Sequence, residues 1–250
     1  MSLLRDLSLS RGPAAAFAAV GLFWGTFAAL VPVLKPQAGL SDAEFGLAML
    51  VASAGAVMAM WLAPLAERKL GLRVLTILTG MLALAVLLPG HTSGGIAFAL
   101  AMLAVTAVTG TLDVAMNAKV SVLEAQAKRS LMNLNHAVFS IAYAICALLT
   151  GVAREFGFTP IQILTVVSVG TLLLILQIAA ALVRDPETHA DEVETAPLPW
   201  TLLLPGGLII LIAFMSEQAS EGWSALHLER SFDAGAAQGA LGPARLGLAM

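Results

Sequence analysis

Seven apolar stretches follow one another along the chain, and each is long enough to cross a lipid bilayer as a helix. The hydrocarbon core of a bilayer is ~30 Å thick and offers no partner for backbone polar groups, so a crossing needs about 20 apolar helical residues. The predicted spans are 14–34, 45–66, 72–88, 95–117, 131–153, 159–183 and 200–224. This pattern predicts an all-α membrane protein.

The composition agrees with this prediction. Hydrophobic residues make up 59% of the 250 residues and charged residues only 12%, against roughly 25% charge in a soluble domain. The net charge of -3, without an extended basic cluster, argues against a nucleic-acid partner. Cys146 is the single cysteine and the four histidines are scattered, so we expect no disulfide, no metal site and no cofactor.

The distribution of basic residues predicts the orientation in the membrane. With a cytoplasmic amino terminus, 1–13, most lysines and arginines near the spans face the cytoplasm, as the positive-inside rule requires. The cytoplasmic group is Arg5, Arg11, Arg68, Lys69, Arg73, Lys119, Lys128, Arg129 and Arg184, and the outer group is Lys35, Arg154 and Arg230. We therefore expect a multi-pass protein of the cell inner membrane with its amino terminus inside.

A polar segment, 184–199, divides the chain. It is acidic and carries Pro186, Pro197 and Pro199, which is typical of a flexible linker. It separates a predicted six-helix bundle, 14–183, from the start of a second bundle, 200–250, and the sequence ends inside what resembles an eighth span. We expect the second bundle to be truncated.

Two local patterns predict helix geometry. Ser41 and Glu44 have capping-box spacing and are expected to start the second spanning helix at the membrane surface. Gly21 and Gly25 form a small-xxx-small pair on the first spanning helix, which lets a neighbouring helix approach closely.

Polar residues recur at helical spacing on three otherwise apolar spans. These three stripes are Thr106, Thr109, Gly110, Asp113 and Asn117 on the fourth span, Asn133, His136, Ser140 and Tyr143 on the fifth, and Glu217, Ser220, Glu221 and Ser224 on the seventh. Such stripes are expected around a water-accessible cavity, because each polar group needs water, a ligand or another polar group. Hydrogen bonding between helices is the alternative, especially for the Thr, Ser and Asn members.

Glu217 and Glu221 lie one turn apart on the seventh span. Two ionised carboxylates at this spacing repel each other, which suits a site that exchanges protons or binds a cation. The competing interpretation places the pair at the outer rim of the membrane, solvated, near Trp223 and His227.

Asp113 lies near the predicted cytoplasmic end of its span, at a depth similar to Arg73 and Lys119, where an ion pair can hold an inner gate shut. His136 can titrate near neutral pH, and it is otherwise a packing residue. Trp24 either stacks on a solute or faces lipid. We add the polar side chains of Asn117, Asn133 and Tyr143 as candidate solute contacts.

The order of spans, the short turns, the basic turn between the second and third spans and the linker after the sixth resemble the major facilitator superfamily of secondary transporters. Further strings resemble its MosC-like branch: 23–25, 31–32, 39–42, 45–47, 110–117, 135–140 and 221–225, of which Asp113-Val114-Ala115-Met116-Asn117 is the most specific. The resemblance implies twelve helices in two six-helix halves, each of inverted three-helix repeats, with solute bound between the halves. It also implies a gate role for Glu67 and Arg68, which occupy the second-to-third turn.

The leading hypothesis from the sequence is therefore a secondary transporter for a small polar organic solute, sugar-like or amine-bearing, driven by protons across the inner membrane. The C-terminal half of the transporter would be missing from this chain. Two alternatives stay open. An intramembrane enzyme would need a pair such as His136 and Asp113 at one water pocket, and a non-transporting membrane sensor would need an attached signalling domain.

Overall fold

The computed structural model describes residues 3–182 and 199–249, and over these ranges it contains helices and no strand. Most of the predicted linker, 184–198, lies outside the described residues. The α-helices are α1 (Leu3–Leu9), α2 (Arg11–Gln37), α3 (Asp42–Leu70), α4 (Val74–Ala85), α5 (Gly95–Ala127), α6 (Met132–Glu155), α7 (Pro160–Leu182), α8 (Trp200–Ser231), α9 (Ala236–Gly239) and α10 (Leu241–Ala249). The predicted all-α membrane fold is confirmed.

In the described residues, six ranges are long and apolar enough to cross a membrane: Arg11–Gln37, Asp42–His91, Gly95–Ala127, Met132–Glu155, Pro160–Leu182 and Trp200–Ser231. The second range has 50 residues. At 1.5 Å per residue a continuous helix of that length would reach about 75 Å, more than twice the thickness of the hydrocarbon core. This range therefore corresponds to the second and third predicted spans together.

A short turn breaks this long range between α3 and α4. The turn is the 3-10 helix Gly71–Arg73, and Gly71 has a φ of 51° and a ψ of -132°, a combination that glycine adopts without steric cost. Beyond it α4 has only 12 residues, and the 3-10 helix Leu88–His91 extends it toward α5. The third crossing is thus less regular than its apolar sequence predicted.

The predicted capping box starts α3. The Ser41 hydroxyl accepts a hydrogen bond from the Glu44 amide at 3.3 Å, and a Glu44 carboxylate oxygen accepts one from the Ser41 amide at 2.8 Å. Two amide groups that have no partner within the helix are satisfied in this way. The expected beginning of the second spanning helix is confirmed.

Helices α2 to α7 form one unit, here called the first unit, which consists of two three-helix repeats. Helix α3 packs closely on α5, and α2 packs closely on α6 and α7, while α4 contacts α5 and α7. If α2, α3 and α4 are exchanged for α5, α6 and α7, the α3–α5 pair becomes the α6–α2 pair and the α2–α7 pair becomes the α5–α4 pair, while the α4–α7 pair maps onto itself. The two repeats therefore occupy equivalent places in the packing.

Small residues allow the closest of these contacts. A Cβ atom added to Gly21 would lie 2.5 Å from the carbonyl oxygen of Phe139, and one added to Gly25 would overlap the carbonyl group of Tyr143. On the other pair, Thr106 of α5 donates a hydrogen bond to the carbonyl oxygen of Ala52 on α3 at 2.5 Å. The predicted close approach at Gly21 and Gly25 is confirmed, and Thr106 serves interhelical bonding.

Polar contacts mark two opposite ends of the first unit. At one, called the Arg129 end, Arg129 pairs with Asp6 at 2.8 Å. At the other, called the Lys35 end, Gln37 at the end of α2 donates to the carbonyl oxygen of Thr92, just before α5, at 2.9 Å. In the predicted orientation the Arg129 end is cytoplasmic and the Lys35 end is outside.

Helices α8 to α10, here called the second unit, attach to the first unit mainly through α2 and α6. We call this contact surface the seam. In α8 the buried residues are Glu221, Ala225 and Leu226, and all of them lie in its last third. The part of α8 from Trp200 to Ser220 contributes no buried residue.

Candidate functional site

Glu221 is the acidic residue that the fold buries at the seam, and only 6% of its surface is exposed. One of its carboxylate oxygens accepts a hydrogen bond from the side-chain amide of Gln218 at 3.0 Å. Gln218 precedes Glu221 by three residues, so both side chains lie on the same face of α8. A carboxylate buried in this way needs a counter-charge or a proton.

Tyr143 of α6 faces Glu221 across the seam. Its side chain is fully buried and interacts electrostatically with Glu221 and, less strongly, with Glu217. No hydrogen bond of standard geometry satisfies the Tyr143 hydroxyl within the described residues. The nearest polar group for this hydroxyl is thus the Glu221 carboxylate of the second unit.

Close backbone packing fixes the position of Tyr143. On one side Gly25 of α2 lies directly against the Tyr143 backbone. On the other side Gly247 of α10 lies against the ring, since an added Cβ would be 2.5 Å from Cδ1 of Tyr143. The tyrosine is therefore held between the two units at a fixed depth.

Glu217 lies one turn before Glu221 and is half-buried. Farther along α8, Trp223 contacts the ring of Phe45 edge-on, with ring centroids 5.5 Å apart, and His227 is exposed. The burial of Glu221 thus differs from that of a solvated rim residue. Its role with protons stays a prediction.

Asp113, Asn117 and His136 form a second polar group nearer the Arg129 end. The Asn117 amide donates to the Asp113 carbonyl oxygen at 2.9 Å and to its carboxylate at 3.1 Å. His136 interacts electrostatically with Asp113, and its ring lies edge-on to Phe17 with centroids 5.0 Å apart. Asp113 and His136 are both exposed, and the structure brings together this pair, which the sequence analysis had considered together only for the enzyme alternative.

The sequence predicted a gate in which Asp113 pairs with Arg73 or Lys119. In the part of the chain that the structure describes, no ion pair joins Asp113 to Arg73. Glu67, Arg68 and Arg73 are exposed at the turn between α3 and α4, and none of them forms an ion pair with another described residue. Their gate role stays a prediction.

The remaining candidates are distributed around the first unit. Trp24 is half-buried and contacts Phe23 and Phe27 edge-on, with centroids 5.1 and 5.7 Å apart, so its ring belongs to an aromatic cluster of α2. Asn133 is exposed at the beginning of α6. Neither residue contacts the Glu221 carboxylate through a hydrogen bond.

A cavity of about 530 Å³ lies within the second unit, between α8 and α10. Ser224, His227, Gln238 and Arg245 are among its lining residues, and none of the predicted site residues is. Of the described residues, no group of three or more His, Cys, Asp or Glu side chains is arranged to hold a metal ion.

The sequence analysis missed Gln218 and a set of ion pairs at the Lys35 end. Gln218 is detectable from its spacing, because it lies three residues before Glu221 on a polar stripe. The ion pairs were also detectable in part from the positions of the cations in the sequence. Lys35, Arg154 and Arg230 are the cations that the positive-inside rule placed outside, and each of them pairs with a carboxylate.

The chain is similar to curated membrane transporters. It is 29% identical over 239 residues to an uncharacterized MFS-type transporter of Yersinia pestis, which covers 94% of the chain and 61% of the relative. It is 28% identical over 231 residues to an uncharacterized transporter of Sinorhizobium fredii, which covers 90% of the chain and 60% of the relative. The chain thus spans about three fifths of the length of the curated relatives it matches.

No family model matches the chain. No solved structure matches it either. The spanning helices define a multi-pass membrane protein, and both relatives are named as transporters, one of them as an MFS-type transporter. These names fit a reading in which the chain is not an enzyme.

Proposed function

We propose that this chain forms the first unit and the beginning of the second unit of a major facilitator secondary transporter of the MosC-like branch. The transporter carries a small polar organic solute, sugar-like or amine-bearing, across the inner membrane by alternating access, and protons drive the transport. Its amino terminus is cytoplasmic, and the remainder of the second half belongs to the full-length protein. The chain's match to three fifths of each transporter relative supports this proposal.

The burial of Glu221 at the seam is the observation that carries the proposal. A permanently charged carboxylate is costly there, whereas a carboxylate that takes up and releases a proton can be buried in one conformation and hydrated in another. Glu221 belongs to the second unit and Tyr143 to the first, so rocking one unit against the other changes the surroundings of both. Proton binding and solute access are thereby coupled at one place.

The groups at the seam also favour a solute with hydrogen-bonding groups. They comprise the Glu221 carboxylate, the Gln218 amide and the Tyr143 hydroxyl, which interacts with the Glu221 carboxylate without a hydrogen bond of standard geometry. Hydroxyl groups of a sugar-like molecule, or an ammonium group, can bond to all three. Ser224, on the same polar stripe as Glu221, contributes a further buried hydroxyl oxygen that forms no hydrogen bond among the described residues.

The proposal is tested with the full-length protein. In a thermal-shift panel of hexoses, cyclitols and amino sugars, a true solute at a hundred times its Kd adds about 2.7 kcal/mol of apparent stability. The same solute, added to proteoliposomes that contain a pH-sensitive dye, is expected to move protons with it. A solute that binds and is transported without proton movement would contradict proton coupling.

Tyr143→Phe separates solute binding from packing. Because the hydroxyl interacts with the Glu221 carboxylate but forms no hydrogen bond of standard geometry, its removal is expected to change the melting temperature only slightly. If the hydroxyl bonds to the solute, affinity falls up to about tenfold, which corresponds to the loss of ~1.4 kcal/mol. The thermal-shift midpoint against solute concentration measures this. An unchanged midpoint excludes Tyr143 as a solute contact.

One specific observation favours the enzyme alternative: Asp113 and His136 lie close together. Their side chains are exposed, however, and the relatives are named as transporters. We therefore propose that these two residues, with Asn117, lie on the route between the Arg129 end and the Glu221 site. Asn133 lies one turn from His136 on the same stripe of α6 and belongs to the same route.

A further inference from the structure

Arg154 and Glu229 form a two-point ion pair across the seam. The two terminal nitrogens of the Arg154 guanidinium donate to the two carboxylate oxygens of Glu229 at 2.7 and 2.9 Å. The first of these nitrogens also donates to the carbonyl oxygen of Ala29 on α2 at 2.8 Å. One arginine at the end of α6 thus binds both a helix of the first unit and a carboxylate of the second.

This ion pair is shielded from solvent. The Arg154 side chain is 7% exposed and the Glu229 side chain is 18% exposed. Two parallel hydrogen bonds between charged groups are strong and specific in geometry. Removal of one partner leaves the other charge buried and uncompensated, so either single substitution is strongly unfavourable for the closed contact.

A second, more exposed group of contacts supports the ion pair at the same end. Arg230, the neighbour of Glu229, pairs with Asp42 at the start of α3 at 2.9 Å. Asp42 also accepts from Lys35 at 2.8 Å. These side chains, apart from Lys35, are about half exposed, so solvent screens the Arg230–Asp42 pair more than the Arg154–Glu229 pair.

A further contact extends the group beyond α8. The Glu155 carboxylate, next to Arg154, accepts a hydrogen bond from the backbone amide of Ala237 in α9 at 2.9 Å. The last turn of α6 therefore contacts both the end of α8 and the following short helix.

The seam is held asymmetrically. From Trp200 to Ser220, α8 has no buried residue, and its ion pairs with the first unit lie near its other end. Among the described residues, the ion pairs across the seam lie at the Lys35 end. The two units are thus fastened at one end of the membrane.

We propose that the Arg154–Glu229 pair, with the Asp42–Arg230 pair behind it, is an ionic clamp that closes the seam at the Lys35 end. The predicted orientation places this clamp on the outer side of the membrane. Opening toward the Lys35 end requires the clamp to break. This proposal rests on the proposed transport function only where the closed and broken clamp are interpreted as states of a transport cycle. The clamp itself can be measured without any solute.

The clamp is tested with spin labels on the chain in lipid nanodiscs. After Cys146→Ser, one label is placed at Phe156 and one at Phe232, which are 78% and 69% exposed and lie beyond the ends of α6 and α8. Pulsed electron resonance is expected to give a short, narrow distance distribution. Arg154→Glu and Glu229→Arg are each expected to add a longer population, and the combined charge swap is expected to remove it.

Three controls make the result decisive. Labels at Ile96 and Phe156, both in the first unit, must give an unchanged distance in every variant. Arg230→Gln, which loses only the exposed pair, is expected to lengthen the distance less than Arg154→Glu does. If Arg154→Glu does not insert, Arg154→Gln replaces it, because the neutral side chain also leaves Glu229 uncompensated.

Two outcomes overturn the clamp: an unchanged Phe156 to Phe232 distance in the single variants, or a charge swap as open as the single variants. Because no solute or pH gradient is used, either outcome rejects the clamp while the transport proposal stands. Conversely, absence of solute uptake by the full-length protein with a normal clamp response rejects the transport proposal alone.

Discussion

Glu221→Gln is expected to reduce pH-gradient-driven solute uptake by the full-length protein to the level of protein-free liposomes. The substitution preserves the size of the side chain and removes its ability to take up and release a proton. The amide oxygen still accepts from Gln218, which bonds the carboxylate at 3.0 Å in this structure. The geometry of the seam is therefore preserved, and the loss measures proton coupling.

Stability supplies the first check on this result. A neutral amide is less costly to bury than a carboxylate, and only 6% of the Glu221 surface is exposed, so the variant is expected to be at least as stable as the parent. Solute binding in the thermal-shift assay is expected to persist. Loss of uptake together with loss of insertion would indicate misfolding instead of uncoupling.

A matched control is available in Asp233→Asn. This change also converts a carboxylate to an amide, but Asp233 is exposed after α8 and has a φ of 51°, which asparagine tolerates. It is expected to retain full uptake. Glu217→Gln tests the neighbouring carboxylate, and because Glu217 is only half-buried, a smaller loss is expected than at Glu221. Unchanged uptake in Glu221→Gln would reject the coupling role.

The fold was predictable to the extent that the membrane restricts the choice of structure. An apolar segment of about 20 residues forms a helix in lipid, because the helix satisfies the backbone hydrogen bonds that lipid cannot. The length of the apolar segments alone therefore predicted most of the helices. The turn at Gly71 shows the limit of this reasoning. Residues 72–88 are apolar enough to cross, but whether they form one regular helix depends on packing against α5 and α7.

The site was predictable in part. The burial cost of charge singled out Glu221, because few acidic residues occur within the spans. That Tyr143 faces it was not predictable, since the polar stripe of α6 can turn toward any neighbour. The structure settles which neighbour it meets through the close approach of Gly25 and Gly247 to Tyr143. Small residues on two other helices thus decide the partner of a polar residue.

The three outer cations carry a more general lesson. In the prediction of orientation, Lys35, Arg154 and Arg230 were counted only as the smaller group of cations, on the outer side of the membrane. A cation retained against that bias needs a compensating interaction, and in the structure each of the three is paired with Asp42 or Glu229. Exceptions to a charge bias therefore indicate where to look for ion pairs, although the sequence does not specify the partners.

Gly25→Ala is expected to destabilise the protein by about 3 kcal/mol, the upper part of the usual range for overpacking. The new Cβ would overlap the Tyr143 carbonyl oxygen and lie 2.7 and 2.8 Å from the carbonyl carbon and Cα of Tyr143. These are backbone atoms, so no side-chain rotation relieves the contact. Helices α2 and α6 have to separate, and Tyr143 moves with α6 away from its place opposite Glu221.

Gly46→Ala provides the matched control for this change. Gly46 lies inside α3 as Gly25 lies inside α2, but a Cβ at Gly46 meets no atom within 4 Å. Alanine is favoured over glycine in a helix by roughly 0.5–1 kcal/mol, so this variant is expected to be as stable as the parent or slightly more stable. Unfolding in lipid-detergent mixtures measures both. Because helix propensity contributes equally to the two variants, their difference reports the contact with Tyr143, and equal stabilities would mean that α2 and α6 are not in close contact there.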